Sequence, residues 1–297
     1  MLAQQILNGV VVGCIYALFS LGFTLIFGVM NIMNLAHGAI FMCGAFVGLY
    51  ALTLADLPIA VAFGAAIIAG GLVSMLLDFV AFRPLRARGG DEFGAVVSSI
   101  GAGLVIISVA QQVSDAQIMS FPFGSFPVVI YKFLGLRISL LQLTVIGITA
   151  VSLIFLYFYV YRTSMGRKIR AISVNEGASL ILGINPASVY AQIFFIAGAF
   201  AGAAGFIIGL TFNSVQFLMG ESIMLRGFVV VILGGLGSIP GAIAAGISLG
   251  IVQTLLVTYV SSELSDAILF ALLFLTLLLH PTGFFKGLRS EMRVVRQ

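Results

Sequence analysis

Charge is what this chain of 297 residues has least of. Asp, Glu, Lys and Arg make up 8% of it, against about 25% in an ordinary soluble domain. That excludes a water-soluble globule, and no basic, aromatic-interleaved surface is left over for a nucleic-acid partner. Tryptophan is absent, so an interfacial aromatic belt has to come from the 8 Tyr and some of the 26 Phe. There are two cysteines, Cys14 and Cys43, both inside apolar runs and without a C-x-x-C spacing. This excludes a disulfide framework and a thiolate metal site. The two histidines, His37 and His280, are far apart in sequence, which excludes a paired-imidazole metal site. No nucleophile–base constellation and no P-loop appear, so neither an enzyme, a cofactor nor a metal is expected. A basic n-region and an A-x-A-like cleavage site are also missing, and the first apolar segment is expected to be retained.

What is present is long apolar runs with basic residues swept between them. Of the 14 Lys and Arg, 11 fall in three stretches: Arg83/Arg86/Arg88, Arg162/Arg167/Lys168/Arg170 and Lys286/Arg289/Arg293/Arg296. A hydrocarbon layer takes about 20 helical residues to cross. Candidate spans are 6–27, 36–55, 57–80, 95–113, 140–161, 189–211, 222–233, 242–260 and 267–280. Segment 222–233 is short and contains Arg226, and 36–55 starts at a polar break. The expected fold class is all-α, a polytopic membrane helix bundle of eight or nine spans with broken or re-entrant helices. Its 35 Gly suit helices that pack through small residues. Basic connections mark the cytoplasmic side, placing 83–91, 162–186 and the C-terminus in the cytoplasm and 114–137 outside.

Three stretches carry polarity worth weighing. In the first, Gly28, Asn31, Asn34, His37 and Gly38 interrupt the apolar helices. Glycine lets the chain leave helical dihedrals, and Asn can bond the freed backbone groups. A junction satisfying its own backbone and the lining of a translocation path are both open readings. In the second, Gly234-Gly235-Leu236-Gly237-Ser238-Ile239-Pro240-Gly241 lacks the Lys-Ser/Thr of a phosphate cradle. It reads as a break between half-helices, with Pro240 opening the next one. Just upstream stand Asn213, Gln216, Glu221 and Arg226, with Glu221 as a partner for Arg226 or as an exposed cap. In the third, residues 162–188 form a basic loop with its own apolar periodicity at Ile169, Ile172, Leu180 and Ile184. Short helices with one apolar face, lying on lipid or seated in a partner's groove, are expected there.

Taken together and in order, Tyr16-Ala17-Leu18, Asn34-Leu35-Ala36-His37-Gly38, Arg83-Pro84-Leu85-Arg86, Arg162-Thr163-Ser164-Met165-Gly166-Arg167, Leu182-Gly183-Ile184-Asn185 and the second glycine-rich stretch resemble the branched-chain amino acid permease family of ABC importers. The similarity runs nearly end to end and is to the Liv-type, H-like members. The resemblance implies a single permease domain over 1–297 that moves a small amino acid inward across a bacterial or archaeal cytoplasmic membrane. Implied partners are a second, M-like permease, two ATP-binding cassette ATPases that hydrolyse the ATP, and an extracytoplasmic substrate-binding protein, all in membrane lipid. It also makes 162–188 a coupling loop, with Arg167, Arg170, Asn175, Glu176, Ala178, Leu182 and Gly183 facing the ATPase. Gly177 there replaces the middle Ala of the family's E-A-A core. Gln253 stands where related members often have Glu, and related systems carry urea or short amides as well as amino acids. The expected path residues are Asn31, Asn34, His37, Asn213, Gln216 and Arg226. The rival from another class is a self-sufficient channel or secondary transporter, which usually shows intramembrane carboxylates on its path.

Overall fold

The structure is a computed structural model that describes residues 1–89, 91–133, 135–279 and 283. The basic tail from Lys286 to Arg296 and His280 lie outside the described residues.

Each of the nine apolar segments is a helix. The long ones are α1 (Leu2–Met30), α3 (Ile59–Leu77), α5 (Glu92–Val113), α6 (Leu140–Arg162), α9 (Pro186–Phe212) and α11 (Ile239–Tyr259), and the short ones α2 (His37–Thr53), α10 (Met219–Gly234) and α12 (Ser262–Leu279). Among the described residues six helical stretches are long and apolar enough to cross a bilayer. Apolar side chains surround these helices on every side, which suits segments that face either other helices or lipid. α5, α6, α9 and α11 start on side-chain caps: Asp91 accepts from Gly94 N–H at α5, Ser139 and Gln142 form a capping box at α6, and Asn185 and Ser238 cap α9 and α11.

Two expectations about connections change. Residues 83–91 do not form a plain loop, because a π-turn at Asp78–Phe82 carries α3 on into α4 (Arg83–Ala87). Pro84 sits at the second position of α4, directly after the π-turn, where the widened turn accommodates a residue that cannot donate to the carbonyls before it. The 114–137 connection also holds a strand, β1 (Ile130–Phe133), paired antiparallel with β2 (Leu136–Ser139). The basic loop after α6 holds α7 (Ser164–Val174) and α8 (Glu176–Ile181), the short helices its periodicity indicates.

The helices follow an internal repeat of opposite direction. α1 starts beside the hairpin, where Gln4 exchanges hydrogen bonds with the Arg137 backbone, and ends at Asn31, bonded to Glu92. α9 runs the other way, from the basic end to Asn213, bonded to the Phe121 N–H in the opposite connection. The most extensive packing is α1 on α11 and its counterpart α3 on α9. α2–α3 and α10–α11 form a second matched pair. Glycines make these crossings close: Gly202 of α9 meets Gly44 and Gly70, and Gly250 of α11 meets Gly13. Without a hydrophobic drive between helices in lipid, such close backbone approach supplies the packing energy.

Candidate functional site

Both polar breaks use the same local chemistry. α1 and α9 each end on an asparagine in the left-handed conformation, Asn31 at φ 57° and Asn213 at φ 48°. Each donates its N–H back to the residue four earlier, Phe27 and Gly209. Asparagine tolerates this region better than other non-glycine residues. Three residues later the carbonyl of Asn34 accepts the His37 N–H, and that of Gln216 accepts the Met219 N–H. Seven residues past each asparagine stands a glycine in the first turn of the short helix, Gly38 in α2 and Gly220 in α10.

α5 serves as a ruler for depth. Asn31 Nδ2 donates to Glu92 Oε1 at 2.7 Å, the Leu35 N–H donates to Ser99 Oγ at 3.1 Å, and Ala36 lies against Gly103. Residues 31–36 therefore climb about 16 Å of α5 before α2 begins near its middle. α2 then continues to the far end, where the Tyr50 hydroxyl meets the Val113 carbonyl. The second break descends from the opposite side, after Met119 and Val215 pair as an isolated bridge. The two helix starts meet there: a Cβ on Gly38 would lie 2.5 Å from the Gly220 carbonyl oxygen. α10 then runs to the basic end, where Leu236 borders Phe27 and Asn31. Two half-helix N-termini, with the positive ends of their dipoles, thus face each other in mid-span.

Beside this junction lies an open groove of about 350 Å³ between α2, α5 and α10, bordered by Gly38, Gly103, Gly220, Glu221 and Phe228. Glu221 is exposed in it, in the first turn of α10. A carboxylate facing hydrocarbon at this depth costs about 3 kcal/mol, so this face is one for water or protein. One turn along α10, Arg226 pairs with Asp266 of α12 at 3.2 Å. Arg226 therefore takes Asp266 as its partner in place of the expected Glu221, because it leaves α10 toward α12 and Glu221 leaves it toward α5. Arg226 also reaches the Tyr16 hydroxyl, which donates to Gln253 Oε1 at 2.5 Å in the buried contact of α1 and α11.

The remaining expected path residues separate. Asn34 and His37 are fully buried. His37 Nε2 lies 3.2 Å from the Phe19 carbonyl and its ring 4.8 Å from that of Phe19. A carbonyl only accepts, so Nε2 carries the proton and Nδ1 of the neutral ring is an acceptor. Among the described residues neither Nδ1 nor the Asn34 amide nitrogen has a hydrogen-bond partner. Asn31 and Asn213 sit toward opposite ends of α5 and Gln216 is exposed near the second, so the amides of the two breaks do not share one lining. Gly28 lies inside α1, which ends at Asn31, not at the glycine. Gly234 closes α10, Gly235 and Gly237 take positive φ in the turn, and Ser238 Oγ accepts the Gly241 N–H with Pro240 in the first turn of α11. Glu221 as a groove residue was missed. The matched spacings Asn31-x-x-Asn34-x-x-x-Gly38 and Asn213-x-x-Gln216-x-x-x-Gly220 are the signal that would have found it.

At the basic end, α7 buries Ile169 and Ile172 and exposes Arg167. Arg170 bonds the Val160 carbonyl and lies over the Tyr161 ring. Asn175 caps α8 through the Ala178 N–H, and Gly183 turns the chain at φ 75°. The tip Leu180, Ile181 and Leu182 is exposed, Ile181 by 89%.

Against known proteins, the family profile described as branched-chain amino acid transport system / permease component matches residues 5–277. The chain is 30% identical over 251 residues to the high-affinity branched-chain amino acid transport system permease protein BraD of Pseudomonas aeruginosa, covering 81% of each. It is 31% identical to the corresponding LivH protein of Escherichia coli, again over 81% of each. A chain of the solved structure of PsaBC from Streptococcus pneumoniae in complex with Fab matches at TM-score 0.50 and 13% identity, over 98% of this chain and 94% of that one. That likeness concerns the fold alone.

Proposed function

Because the chain belongs to the family of branched-chain amino acid transport system permease components, we propose that it is the membrane path subunit of an ABC importer that carries branched-chain amino acids inward. The observation that carries this reading is the groove where the α2 and α10 starts meet beside exposed Glu221. A zwitterion passing there finds the positive ends of two helix dipoles for its carboxylate and Glu221 for its ammonium. Few such groups suit transit, since tight holding would slow release; much of the selectivity then belongs to an extracytoplasmic binding protein.

In this reading the groove is completed by a second permease packed on the α5–α10 face, which keeps Glu221 out of lipid. The basic end faces the cytoplasm, and the exposed apolar tip of α8 seats in one of two ATPases. Binding and hydrolysis of ATP by those partners shift the bundle between two packings. The test is uptake by proteoliposomes holding both permeases, the ATPases and the binding protein, over leucine, isoleucine, valine, urea and short amides. ATP-dependent uptake of the branched-chain set is the expected result. Preference for urea or amides would reassign the substrate, and uptake by this chain alone without ATP would make it a self-sufficient carrier.

A further inference from the structure

A second cluster of charged side chains lies away from the groove, at the basic end. A crevice of about 190 Å³ is lined there by Ile32 of the first break, Arg86, Asp91, Glu92, Glu176 and Tyr190 among others. Arg86, at the end of α4, is its one basic lining residue among the described residues. One guanidinium nitrogen, Nη2, donates to Asp78 Oδ1 at 2.7 Å, and the Asp78 side chain is 5% exposed. The guanidinium carbon stands 4.7 Å from the centre of the Tyr190 ring. The other nitrogen, Nη1, is buried and has no hydrogen-bond partner among the described residues.

Each neighbour of Arg86 leads somewhere different. Asp78 belongs to the π-turn that continues α3. Tyr190 belongs to α9, and its hydroxyl interacts with Glu176, the first residue of α8. Glu92, across the crevice, holds the Asn31 amide at the break after α1. An unpaired buried guanidinium nitrogen is costly and leaves a donor available. Glu92 and Glu176 line the same crevice, so a movement that brought either carboxylate onto Nη1 would satisfy it and narrow the crevice.

We propose that Arg86 is a positioning residue that ties the α8 segment to the break after α1, so that movement of α8 is passed to the start of the path. This rests on the reading of α8 as the ATPase-docking segment. The contact with the Tyr190 ring and the ion pair with Asp78 hold the guanidinium in the crevice wall; lysine can keep the ion pair but has no planar fork to serve both neighbours at once.

The complete reconstituted complex tests this with R86K, R86Q, E176Q and the doubles R86Q/E176Q and R86K/E176Q. Expected for R86K are a normal complex yield, normal basal ATP hydrolysis and a fall of about tenfold in uptake per ATP. The doubles should couple no worse than the poorer single, since residues in one chain of contacts are non-additive. If R86Q fails to assemble, R86K and its double carry the comparison. Fully coupled R86K, or losses that multiply in the double, would overturn the proposal. A readout independent of substrate is thiol reactivity of Ile32→Cys in a background lacking Cys14 and Cys43. Nucleotide binding should change it in the otherwise wild-type complex and leave it unchanged with R86K. An identical response in both overturns the proposal, whereas ATP-independent transport by the wild type would instead sink the importer reading.

Discussion

At the scale of single residues, Glu221 carries a conflict between stability and use. It is exposed at a depth where α5 is half crossed, and a charge there is tolerated only against water or protein. Glu221→Leu should therefore leave thermal stability of the purified subunit unchanged or slightly raised while ATP-dependent uptake is lost. Glu221→Gln, which keeps the shape and removes the charge, should give intermediate uptake at normal complex yield. Melting temperature and uptake measured on the same preparations check this, and joint loss of both would mark Glu221 as structural. His37 is the opposite case: buried against Phe19 and Phe23 with its ring nitrogen on a backbone carbonyl, it fastens the start of α2 to α1.

At the scale of elements, α2 and α10 are set apart by where they begin. Like α1 and α3 they lack side-chain N-caps, but their first turns face each other in mid-span. α7 and α8 are capped by Thr163 and Asn175 in the ordinary aqueous manner, which fits a segment outside the bilayer. α8 makes few contacts beyond α7 and α9 and leaves its apolar tip uncovered. Leu182→Asp should therefore leave insertion and expression intact and weaken association with the ATPases, read by co-purification. Unchanged co-purification with full uptake would return α8 to the role of a membrane-surface helix.

At the scale of the whole molecule, the inverted repeat gives the chain two equivalent routes to its middle, one break entering from each end. In the proposed orientation the basic end faces the cytoplasm. In a background lacking Cys14 and Cys43, Gly124→Cys should react with an impermeant thiol reagent applied to intact cells, and Arg167→Cys should react only after the membrane is opened. Labelling of Arg167→Cys from outside would reverse the orientation.

Composition and periodicity alone determined the class, the nine helical segments and the short helices of the basic loop. Apolar runs of spanning length have no stable state but helix in lipid, and Ile169 and Ile172 mark a helix face wherever it lies. The break at Asn31 was legible, because asparagine and glycine announce a departure from helical dihedrals locally, whereas the second break was expected at 234–241 and the counterpart break at Asn213 was not singled out. What only the tertiary structure decided was who meets whom across the bundle: Gly38 against Gly220, Arg226 with Asp266, Arg86 between Asp78 and Tyr190. In hydrocarbon almost every surface is equally apolar, so hydropathy does not choose a neighbour. That choice rests on close packing of small residues and on the pairing of a few charges, both of which are properties of the assembled bundle.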